Sequence, residues 1–513
     1  MRAKRALMIR RLLIANRGEI AVRIIRACRE RDIEAVAVCS AADRGAMHTR
    51  LADRVVEIGP APAAESYLAV PRIIAAAQQV GADAVHPGYG FLSENPALAA
   101  ACHEAGLLFV GPPAEVMARM ASKIHARRLM TEAGIPVVPG VEPDDQSDGA
   151  LRSAVLRVGL PTLIKASAGG GGRGMRVVRA NTEIDEAIAA ARREATAAFG
   201  DGTLYVERLL ERPRHVEVQI VADQHGHCVH LYERECSVQR RHQKIIEETP
   251  SPALSPALRA RMGEVAVTAA RAADYRNAGT VEFIVEGTGD AARFYFLEMN
   301  TRLQVEHPIT EAVAGVDLVG AQLAVAASET LPWTQAEITP RGHAIECRVY
   351  AEDPAHDFVP QAGRLLLYRE PSGPGIRVDS GVAEGDEVGV HYDPLLAKVV
   401  VWAEDRPRAV ERALAALAQY AVLGVRTNIG FLRRVLHHTR FRAGDVDTEL
   451  IDTERDRLLV PPPQATLRRA AAAAAAVAGA PQLPVSASAR QLSPSVDPWD
   501  TLRGWPDKSS SPS

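Results

Sequence analysis

The sequence Glu298-Met-Asn-Thr-Arg-Leu-Gln-Val-Glu-His-Pro-Ile-Thr-Glu311 is the most informative stretch of this 513-residue chain. It continues a run typical of a β-strand, Phe294-Tyr-Phe-Leu297. Strict strand alternation predicts that Glu298 and Asn300 lie on the same face as the two phenylalanines. Oxygen donors that follow aromatic residues on one face are unusual for a plain core strand, so this stretch indicates a functional site.

A second strand-like run, Thr280-Val-Glu-Phe-Ile-Val285, precedes this stretch, and Gly287-Thr-Gly-Asp290 is a turn signal between the two. A hairpin centred near Asp290 would place Glu282 opposite Glu298. Directly opposed Cβ atoms are roughly 4.5–5.5 Å apart, so two carboxylates there would repel each other. A divalent cation would remove that repulsion, and oxygen ligands suit Mg²⁺ or Mn²⁺. The alternative is an exposed hairpin whose glutamates are solvated.

Composition limits the class of protein. A chain of 513 residues with 47% hydrophobic residues predicts three or four domains with real cores. The formal net charge of −3 gives no reason to expect a nucleic acid or membrane partner, and no apolar run is long enough to span a bilayer. The six cysteines contain no CxxC pair, which disfavours a zinc site and predicts a cytoplasmic protein. The basic start leaves a short organelle presequence as an alternative.

The first hundred residues alternate between strand and helix patterns. Residues 12–15 and 35–38 are typical of buried parallel strands, and residues 20–28 between them have helical spacing. The turn Asn16-Arg-Gly-Glu19 lacks the GxGxxG fingerprint of dinucleotide-binding folds. Residues 86–95 follow a further predicted strand, at the edge of the sheet where ligands bind, although they are equally consistent with a rigid turn.

Two further segments favour anion binding. In Ala166-Ser-Ala-Gly-Gly-Gly-Gly-Arg-Gly174 the backbone N–H groups could close over phosphates. A disordered linker is the alternative there, since the GK[ST] of a Walker loop is missing. The segment Glu235-Cys-Ser-Val-Gln-Arg-Arg-His-Gln-Lys244 holds a dense cluster of cationic and imidazole groups. Such a cluster is usually a surface charge run, but the prolines of Thr249-Pro-Ser-Pro252 favour a constrained anion-binding loop.

The rest of the chain predicts a smaller α+β block and then a tail. Helical spacing covers residues 315–327, and residues 344–350 alternate as a strand in which Arg348 and Glu346 share a face. A mutual ion pair is the simple interpretation of Arg348. From residue 461 the chain is rich in Pro, Ala and Ser, which indicates a linker or tail.

Together these motifs resemble the biotin carboxylase component of biotin-dependent carboxylases, within the ATP-grasp superfamily. The resemblance covers residues 11–455. It rests on Ile-Ala-Asn-Arg-Gly-Glu-Ile-Ala (14–21), His-Pro-Gly-Tyr-Gly-Phe-Leu-Ser-Glu-Asn (86–95), the glycine segment, Gln-Arg-Arg-His-Gln-Lys (239–244), the stretch quoted first, and Tyr-Asp-Pro-Leu-Leu-Ala-Lys (392–398). Several long motifs in the same order are far more specific than any one of them.

The resemblance implies a multidomain fold with α/β and α+β parts. The expected parts are a Rossmann-like N-terminal domain (1–121), an ATP-grasp domain (122–330), a C-terminal biotin carboxylase domain (331–458) and a disordered Pro/Ala/Ser-rich tail or linker (459–513). One small departure is Ala168, which stands where many relatives have another glycine.

The resemblance also implies roles for the matching residues. ATP phosphates would be held by Lys123 and Lys165, under a flap at Gly171 and Gly172. The adenine hinge would be formed by Glu207, Arg208, Leu209 and Leu210. His215, Gln239 and His242 would lie near the nucleotide or biotin. The expected ligands of two Mg²⁺ or Mn²⁺ ions are Glu282, Glu298 and Asn300. The residues expected to act on bicarbonate are Lys244, Arg302, Gln304 and Val305 as its binding groups, Glu306 as general base, and Arg348 to stabilise the reacting anions. A plain ion pair between Arg302 and Glu306 is the alternative.

The implied activity is carboxylation of biotin by bicarbonate and ATP through carboxyphosphate. It would be the first half-reaction of an acetyl-, propionyl- or other acyl-CoA carboxylase, as in fatty acid biosynthesis. Biotin would arrive on a separate carrier protein, because no Ala-Met-Lys-Met motif occurs. The expected partners are that biotin carboxyl carrier, a carboxyltransferase and a second copy of the chain. Another ATP-grasp carboxylate–amine ligase and an inactive nucleotide-binding scaffold are the alternatives.

The sequence leaves the final carboxyl acceptor open. Acetyl-CoA, propionyl-CoA, longer acyl-CoAs, pyruvate and urea all depend on a transferase that the chain lacks. Asp497-Pro-Trp-Asp-Thr-Leu-Arg-Gly-Trp505 resembles the segment that precedes a biotin-carrier domain in longer acyl-CoA carboxylase α chains. We therefore expect a shortened descendant of such a chain or a subunit whose carrier is separate.

Overall fold

The computed structural model describes residues 8–168, 174–241 and 243–460, with a few single positions between 465 and 476. The chain forms two units, Met1–Leu459 and Val460–Ser513. In the second unit, the few positions described after Val460 are helical. No single helix in the described ranges has the length and apolar character needed to cross a membrane. One pair of helices has that length and composition when the two are taken together, but the pair is bent by 97°.

The first part of the larger unit is a five-stranded parallel sheet flanked by helices, as the alternating pattern predicts. Its strands are β1 (Arg11–Ile14), β2 (Glu34–Ser40), β3 (Arg54–Gly59), β4 (Ala84–His86) and β5 (Leu108–Phe109). Its helices are α1 (Gly18–Arg29), α2 (Met47–Leu51), α3 (Val70–Val80), α4 (Pro96–Glu104) and α5 (Ala114–Ala121). The strand order β3-β2-β1-β4-β5 reverses between β1 and β4, which is where open α/β sheets bind ligands.

A small antiparallel sheet follows, with the strand order β6-β9-β7-β8. Its elements are α6 (Lys123–Glu132), β6 (Gly140–Val141), α7 (Asp148–Val158), β7 (Thr162–Ala166), β8 (Arg176–Val178), α8 (Ile184–Phe199) and β9 (Leu204–Arg208). Aliphatic side chains of α7 and α8 pack against β7 and β9 to form its core.

An eight-stranded sheet, ordered β14-β13-β10-β11-β12-β15-β22-β20, dominates the rest of the unit. The first group of elements is β10 (Arg214–Ala222), β11 (Cys228–Arg240), β12 (Gln243–Thr249), α9 (Pro256–Ala272), β13 (Asn277–Glu286), β14 (Arg293–Asn300), α10 (His307–Ala314) and α11 (Leu318–Ala326). The other strands of this sheet are separated from β14 in the sequence by α10 and α11. The sheet therefore continues across the boundary that the sequence predicts at residue 330.

The last part of the unit supplies those strands and a helical layer. Its strands are β15 (His343–Tyr350), β16 (Glu352–Asp353), β17 (Val359–Pro360), β18 (Gly363–Arg364), β19 (Leu367–Arg369), β20 (Ile376–Ser380), β21 (Glu387–Val388), β22 (Leu395–Ala403) and β23 (Ala421–Leu423). Its helices are α12 (Arg406–Gln419), α13 (Ile429–His437), α14 (Thr439–Arg442), α15 (Leu450–Thr453) and α16 (Arg455–Leu458).

The hairpin of β13 and β14 has the predicted register, with Glu282 directly opposite Glu298. One residue further along, however, Phe283 pairs with Phe296. Leu297 is therefore an extra residue, a β-bulge that the turn signal and the strand pattern do not reveal. A bulge inverts the alternation of side chains beyond it.

The prediction that Glu298 and Asn300 share a face with the two phenylalanines is therefore wrong. Phe294, Phe296 and Met299 pack together in the core beneath the sheet. Glu298 and Asn300 line a cleft on the opposite face. The bulge thus allows one short strand to supply both core residues and polar groups of a site.

The helix predicted over residues 315–327 begins later, as α11. Gly315 has a φ of 68° and ends α10 in a left-handed cap, and the side chain of Asp317 caps the start of α11. The helical spacing predicted over residues 315–327 does not include α10. Pro308 is favourable in its first turn, and Glu306 occupies its N-cap position.

A buried acid on β12 makes the stability of the unit depend on pH. Glu248 accepts hydrogen bonds from His343 and Arg406. Burial alone would raise the pKa of Glu248, but these partners lower it to about 2. The ionised form therefore stabilises the fold above the unfolded pKa of about 4.5, by about 3 kcal/mol, and this contribution is lost as the pH falls from about 4.5 to about 2.

We expect the variant Glu248→Gln to lose thermal stability less steeply than the wild type between about pH 5 and about pH 3. Circular dichroism melting curves at several pH values measure this. Glu411→Gln is the control, because Glu411 pairs with Arg442 at the surface and should leave the wild-type slope intact. Parallel slopes for Glu248→Gln and the wild type would contradict the prediction.

Candidate active site

A cleft of about 800 Å³ collects the candidate residues of the sequence analysis. Those that line it are Lys123, Lys165, Glu207, Arg208, Leu209, Leu210, His215, Gln239, Lys244, Glu282, Glu298, Asn300, Arg302, Gln304, Val305, Glu306 and Arg348. Three other candidates, Gly171, Gly172 and His242, lie outside the described residues. Every described candidate thus belongs to one cleft, although α6, the four-stranded sheet, the eight-stranded sheet and their loops contribute them from distant parts of the chain.

Lys244 on β12 is the electrostatic centre of the cleft. Its Nζ lies 2.6 Å from Glu217 Oε2, 2.9 Å from Glu282 Oε1 and 2.8 Å from Glu306 Oε1. Burial opposes a positive charge there, but the three carboxylates raise the pKa of Lys244 well above its usual value. The side chain therefore remains an ammonium group that joins β10, β13 and the loop after β14.

Glu306 is completely buried between two cations. Arg348 Nη2 lies 3.0 Å from its Oε2, and Lys244 contacts the other oxygen. Burial would raise the pKa of Glu306, but Lys244 and Arg348 hold it well below its usual range. Glu306 is therefore ionised at neutral pH, which is the form that can accept a proton.

The contacts of Arg348 differ from the ion pair with Glu346 that the alternation of its strand suggests. Its Nε donates to Glu247 Oε1 at 2.6 Å, and its Nη2 reaches Glu306. Among the described residues, its ion pairs are with these two glutamates and not with Glu346. The guanidinium thus lies at the end of the cleft where Glu306 is.

Arg302 lines the same cleft, and three contacts hold its planar guanidinium there. Nε contacts Glu94 at 3.0 Å, Nη1 donates to Gln304 Oε1 at 2.7 Å, and Nη2 donates to Asn300 Oδ1 at 3.3 Å. Within the described ranges, its ion-pair partner is Glu94 and not Glu306. The alternative of a plain pair between Arg302 and Glu306 is therefore wrong.

Three carboxylates form a row across neighbouring strands. Glu217 is directly opposite Glu282, and Glu282 is directly opposite Glu298. Lys123 compensates Glu298 at 2.8 Å, and the side-chain oxygen of Asn300, two residues further along the strand, accepts from Arg302. Adjacent carboxylate and amide oxygens are the donor set that Mg²⁺ and Mn²⁺ prefer. The residues present therefore fit a divalent metal.

The small antiparallel sheet supplies the other side of the cleft. Lys165 contacts Glu207 Oε2 at 3.0 Å, and Arg127 contacts the second oxygen of the same carboxylate at 2.8 Å. Arg208 pairs instead with Glu286 at 3.0 Å. The predicted hinge therefore begins in the last two residues of β9, where Glu207 pairs with two buried cations, and continues into two leucines.

His215 on β10 links Gln239 to Glu282. Its Nδ1 lies 2.7 Å from Gln239 Nε2, and its Nε2 lies 2.8 Å from Glu282 Oε2. Burial would lower the pKa of His215, but the neighbouring Glu282 raises it. The imidazole therefore belongs to the charge network around the three opposed glutamates.

Several residues that line this cleft or contact its lining are not among the candidates predicted from the sequence. Glu217 lies two residues after His215 on β10, and side chains two residues apart on a strand share a face, so the sequence contains a signal for it. Glu94 lies in a quoted motif, but only the fold brings it to Arg302. The turn after β1, residues 16–19, and Tyr89 after β4 line the cleft from the switch point of the parallel sheet.

Family models match nearly all of the larger unit. Residues 8–117 match the N-terminal domain of biotin carboxylase, and residues 346–453 match its C-terminal domain. Residues 122–334 match the ATP-binding domain of the carbamoyl-phosphate synthase L chain. The chain belongs to the biotin carboxylase family.

Two relatives illustrate the extent of the similarity. Biotin carboxylase of Halalkalibacterium halodurans is 51% identical over 444 residues, which cover 86% of this chain and 97% of that protein. The mitochondrial methylcrotonoyl-CoA carboxylase subunit alpha of Rattus norvegicus is 50% identical over 452 residues, covering 88% of this chain. The matched part spans only 63% of the length of the rat subunit.

A solved structure shares the architecture. It is the biotin carboxylase domain dimer of the 2-oxoglutarate carboxylase of Hydrogenobacter thermophilus, in complex with MgADP, ADP and bicarbonate. The TM-score is 0.84 at 41% sequence identity, and the alignment covers 89% of this chain and 100% of that one. The similarity therefore extends over the whole family domain.

The row of opposed carboxylates predicts the effect of one substitution on metal binding. Glu298→Gln removes one charged ligand, so we expect Mn²⁺ affinity in the presence of ADP to fall at least about tenfold. Electron paramagnetic resonance titration of free Mn²⁺ measures this. Glu286→Gln on β13 is the control, since Glu286 pairs with Arg208 and is outside the row. An unchanged Mn²⁺ titration for Glu298→Gln would contradict the assignment.

Proposed function

We propose that this chain is a biotin carboxylase subunit that carboxylates carrier-bound biotin with bicarbonate and ATP. The observation that carries the proposal is the ionised Glu306, held between Lys244 and Arg348. Arg302 and the opposed carboxylates lie in the same cleft. Family membership and the bound ligands named for the Hydrogenobacter structure support the same assignment.

The chemistry explains why such a cleft needs so many charges. Bicarbonate is a poor electrophile, because its leaving group would be hydroxide or oxide. Phosphorylation by ATP gives carboxyphosphate, whose leaving group is phosphate. Attack of bicarbonate on the γ-phosphate brings two anions together, so cations must neutralise the charge in the transition state.

The bicarbonate end of the cleft is the region around Arg302. A guanidinium offers a planar fork that matches a planar carbonate oxyanion, which a lysine cannot copy. Lys244 supplies a point charge, and Gln304 and the backbone of Val305 supply neutral polar groups. These residues bind and orient bicarbonate with its reacting oxygen toward the phosphates.

Glu306 is the general base in this proposal. It is ionised and takes the proton of bicarbonate as carboxyphosphate forms. Because Lys244 and Arg348 lower its pKa, Glu306 becomes more basic when a bound anion draws Lys244 toward itself. Carboxyphosphate then releases CO₂ and phosphate, the phosphate removes the N1 proton of biotin, and Arg348 stabilises the enolate-like biotin anion.

The nucleotide end follows from the remaining candidates. Lys123 and Lys165 hold phosphates, the flap at Gly171 and Gly172 closes over them, and adenine lies at the hinge. The hinge residues are Glu207, Arg208, Leu209 and Leu210, with His215, Gln239 and His242 near the nucleotide or biotin. The proposed ligands of two Mg²⁺ or Mn²⁺ ions are Glu282, Glu298 and Asn300. The bound metal would neutralise charge on the phosphoryl oxygens.

The proposal extends to partners and location. We infer a separate biotin carboxyl carrier, a carboxyltransferase subunit, a homodimer and a cytoplasmic location. The dimer named for the Hydrogenobacter domain supports the homodimer. The acceptor named for the rat relative is methylcrotonoyl-CoA and that for the Hydrogenobacter relative is 2-oxoglutarate. A role in acetyl-CoA carboxylase and fatty acid biosynthesis, and the domain boundaries after residues 121, 330 and 458, remain proposals.

Turnover assays test the proposal. We expect ATP hydrolysis to require bicarbonate and to increase when free biotin is added. Amine-dependent turnover would instead indicate a carboxylate–amine ligase, and no turnover would indicate a scaffold.

The role of Glu306 has a separate test. Glu306→Gln removes the base but keeps the shape of the side chain, so biotin-dependent turnover should fall at least about tenfold. Binding of ADP, measured by calorimetry, should remain as a control for folding. Turnover close to that of the wild type would exclude the base role of Glu306.

A further inference from the structure

Lys398, the last residue of the motif at 392–398, has no role in the reaction as proposed above. Its side chain is nevertheless completely buried on β22. Nζ donates a hydrogen bond of 2.8 Å to the carbonyl oxygen of Val305 and lies 3.2 Å from Glu19 Oε1 on α1. One ammonium group therefore connects the C-terminal strands, the loop before α10 and the first helix of the N-terminal part.

Strand register explains why Lys398 reaches that loop. On β22 it is directly opposite Arg348 of β15 and Asp379 of β20. Directly opposed side chains share a face of the sheet, and α10 packs against β15 and β22. Two neighbouring cations thus hold two consecutive residues, since Arg348 contacts the carboxylate of Glu306 and Lys398 contacts the carbonyl of Val305.

The charge of Lys398 is maintained by its surroundings. Burial opposes the positive charge, but Glu19, Glu346 and Asp379 raise the pKa of Lys398 above its usual value. Tyr89 completes the group, because its hydroxyl donates to Glu19 and its ring lies 5.9 Å from Nζ. Lys398 therefore donates to the Val305 carbonyl as an ammonium, and a charge-assisted hydrogen bond is roughly twice as strong as a neutral one.

We propose that Lys398 is a positioning residue for the bicarbonate end of the cleft and acts through the peptide between Val305 and Glu306. The peptide unit is planar, so a bond to the Val305 oxygen also fixes the nitrogen and Cα of Glu306. The bond thereby sets the position of the proposed base. This inference rests on the proposed function, because it assigns Lys398 an effect on bicarbonate chemistry.

A purely structural role predicts something different. If Lys398 only compensated the buried charges of Glu19 and Asp379, its loss would lower stability and leave bicarbonate kinetics unchanged. A displacement of a reacting group by about 1 Å costs about 10²-fold in rate. Kinetics against bicarbonate therefore separate the two roles.

The test is Lys398→Met, which keeps an unbranched side chain but removes the donor. We expect kcat/KM for bicarbonate to fall at least about tenfold, while KM for ATP stays within about twofold of the wild type. Steady-state ATP hydrolysis with free biotin, in titrations of bicarbonate and of ATP, measures both. An unchanged kcat/KM for bicarbonate in folded Lys398→Met would overturn the inference.

Two further variants serve as a control and as a second test. Arg406→Met is the matched control, because Arg406 also compensates a buried acid, Glu248, but does not line the cleft. It should lower the thermal midpoint and leave bicarbonate kinetics unchanged.

Lys398→Arg keeps the charge but has a longer, planar head group, so we expect it to lower kcat/KM for bicarbonate as well. If Lys398→Met does not fold, normal bicarbonate kinetics in Lys398→Arg would overturn the inference.

The wild-type assay distinguishes this inference from the function on which it rests. Bicarbonate-dependent turnover in the wild type with unchanged kinetics in the Lys398 variants would remove only the positioning role. Absence of bicarbonate-dependent turnover in the wild type would overturn the proposed function and the inference together.

Discussion

The ammonium group of Lys244 is the interaction on which the cleft depends. It lies within 2.9 Å of carboxylate oxygens from Glu217, Glu282 and Glu306. A buried ionised carboxylate without a partner costs several kcal/mol, so these glutamates can converge only around a cation. Two strands and the loop before α10 are thereby held together at the point where the proposed phosphoryl donor and the carboxyl source meet.

The continuous eight-stranded sheet makes this convergence possible. Arg348 and Lys398 come from strands that follow α11 in the sequence, yet they hold Glu306 and Val305 in the loop that precedes α10. The site is thus shared between segments that the sequence assigns to different domains. Because strands of one sheet have a fixed spacing and register, the relative positions of these charges are fixed as well.

A single inserted residue has a large effect within that sheet. The bulge at Leu297 gives β14 a core face before it and a polar cleft face after it. A regular strand would have buried Glu298 and Asn300 with the phenylalanines. A second local feature, the start of α10 directly after Glu306, arranges the charges of this helix and of the loop before it. The polar composition of the stretch does not indicate that a helix starts there.

The sequence by itself determined the alternating elements of the parallel sheet, the hairpin that opposes Glu282 and Glu298, and the residues that resemble those of the family. These depend on neighbouring residues, whose propensities and turn signals act over short distances. Only the tertiary structure decided the bulge, the partner of Arg302 and the contact of Lys398 with Val305. Such choices depend on packing and on pairs of charges far apart in the chain, because a buried charge takes whichever partner the completed fold brings to it.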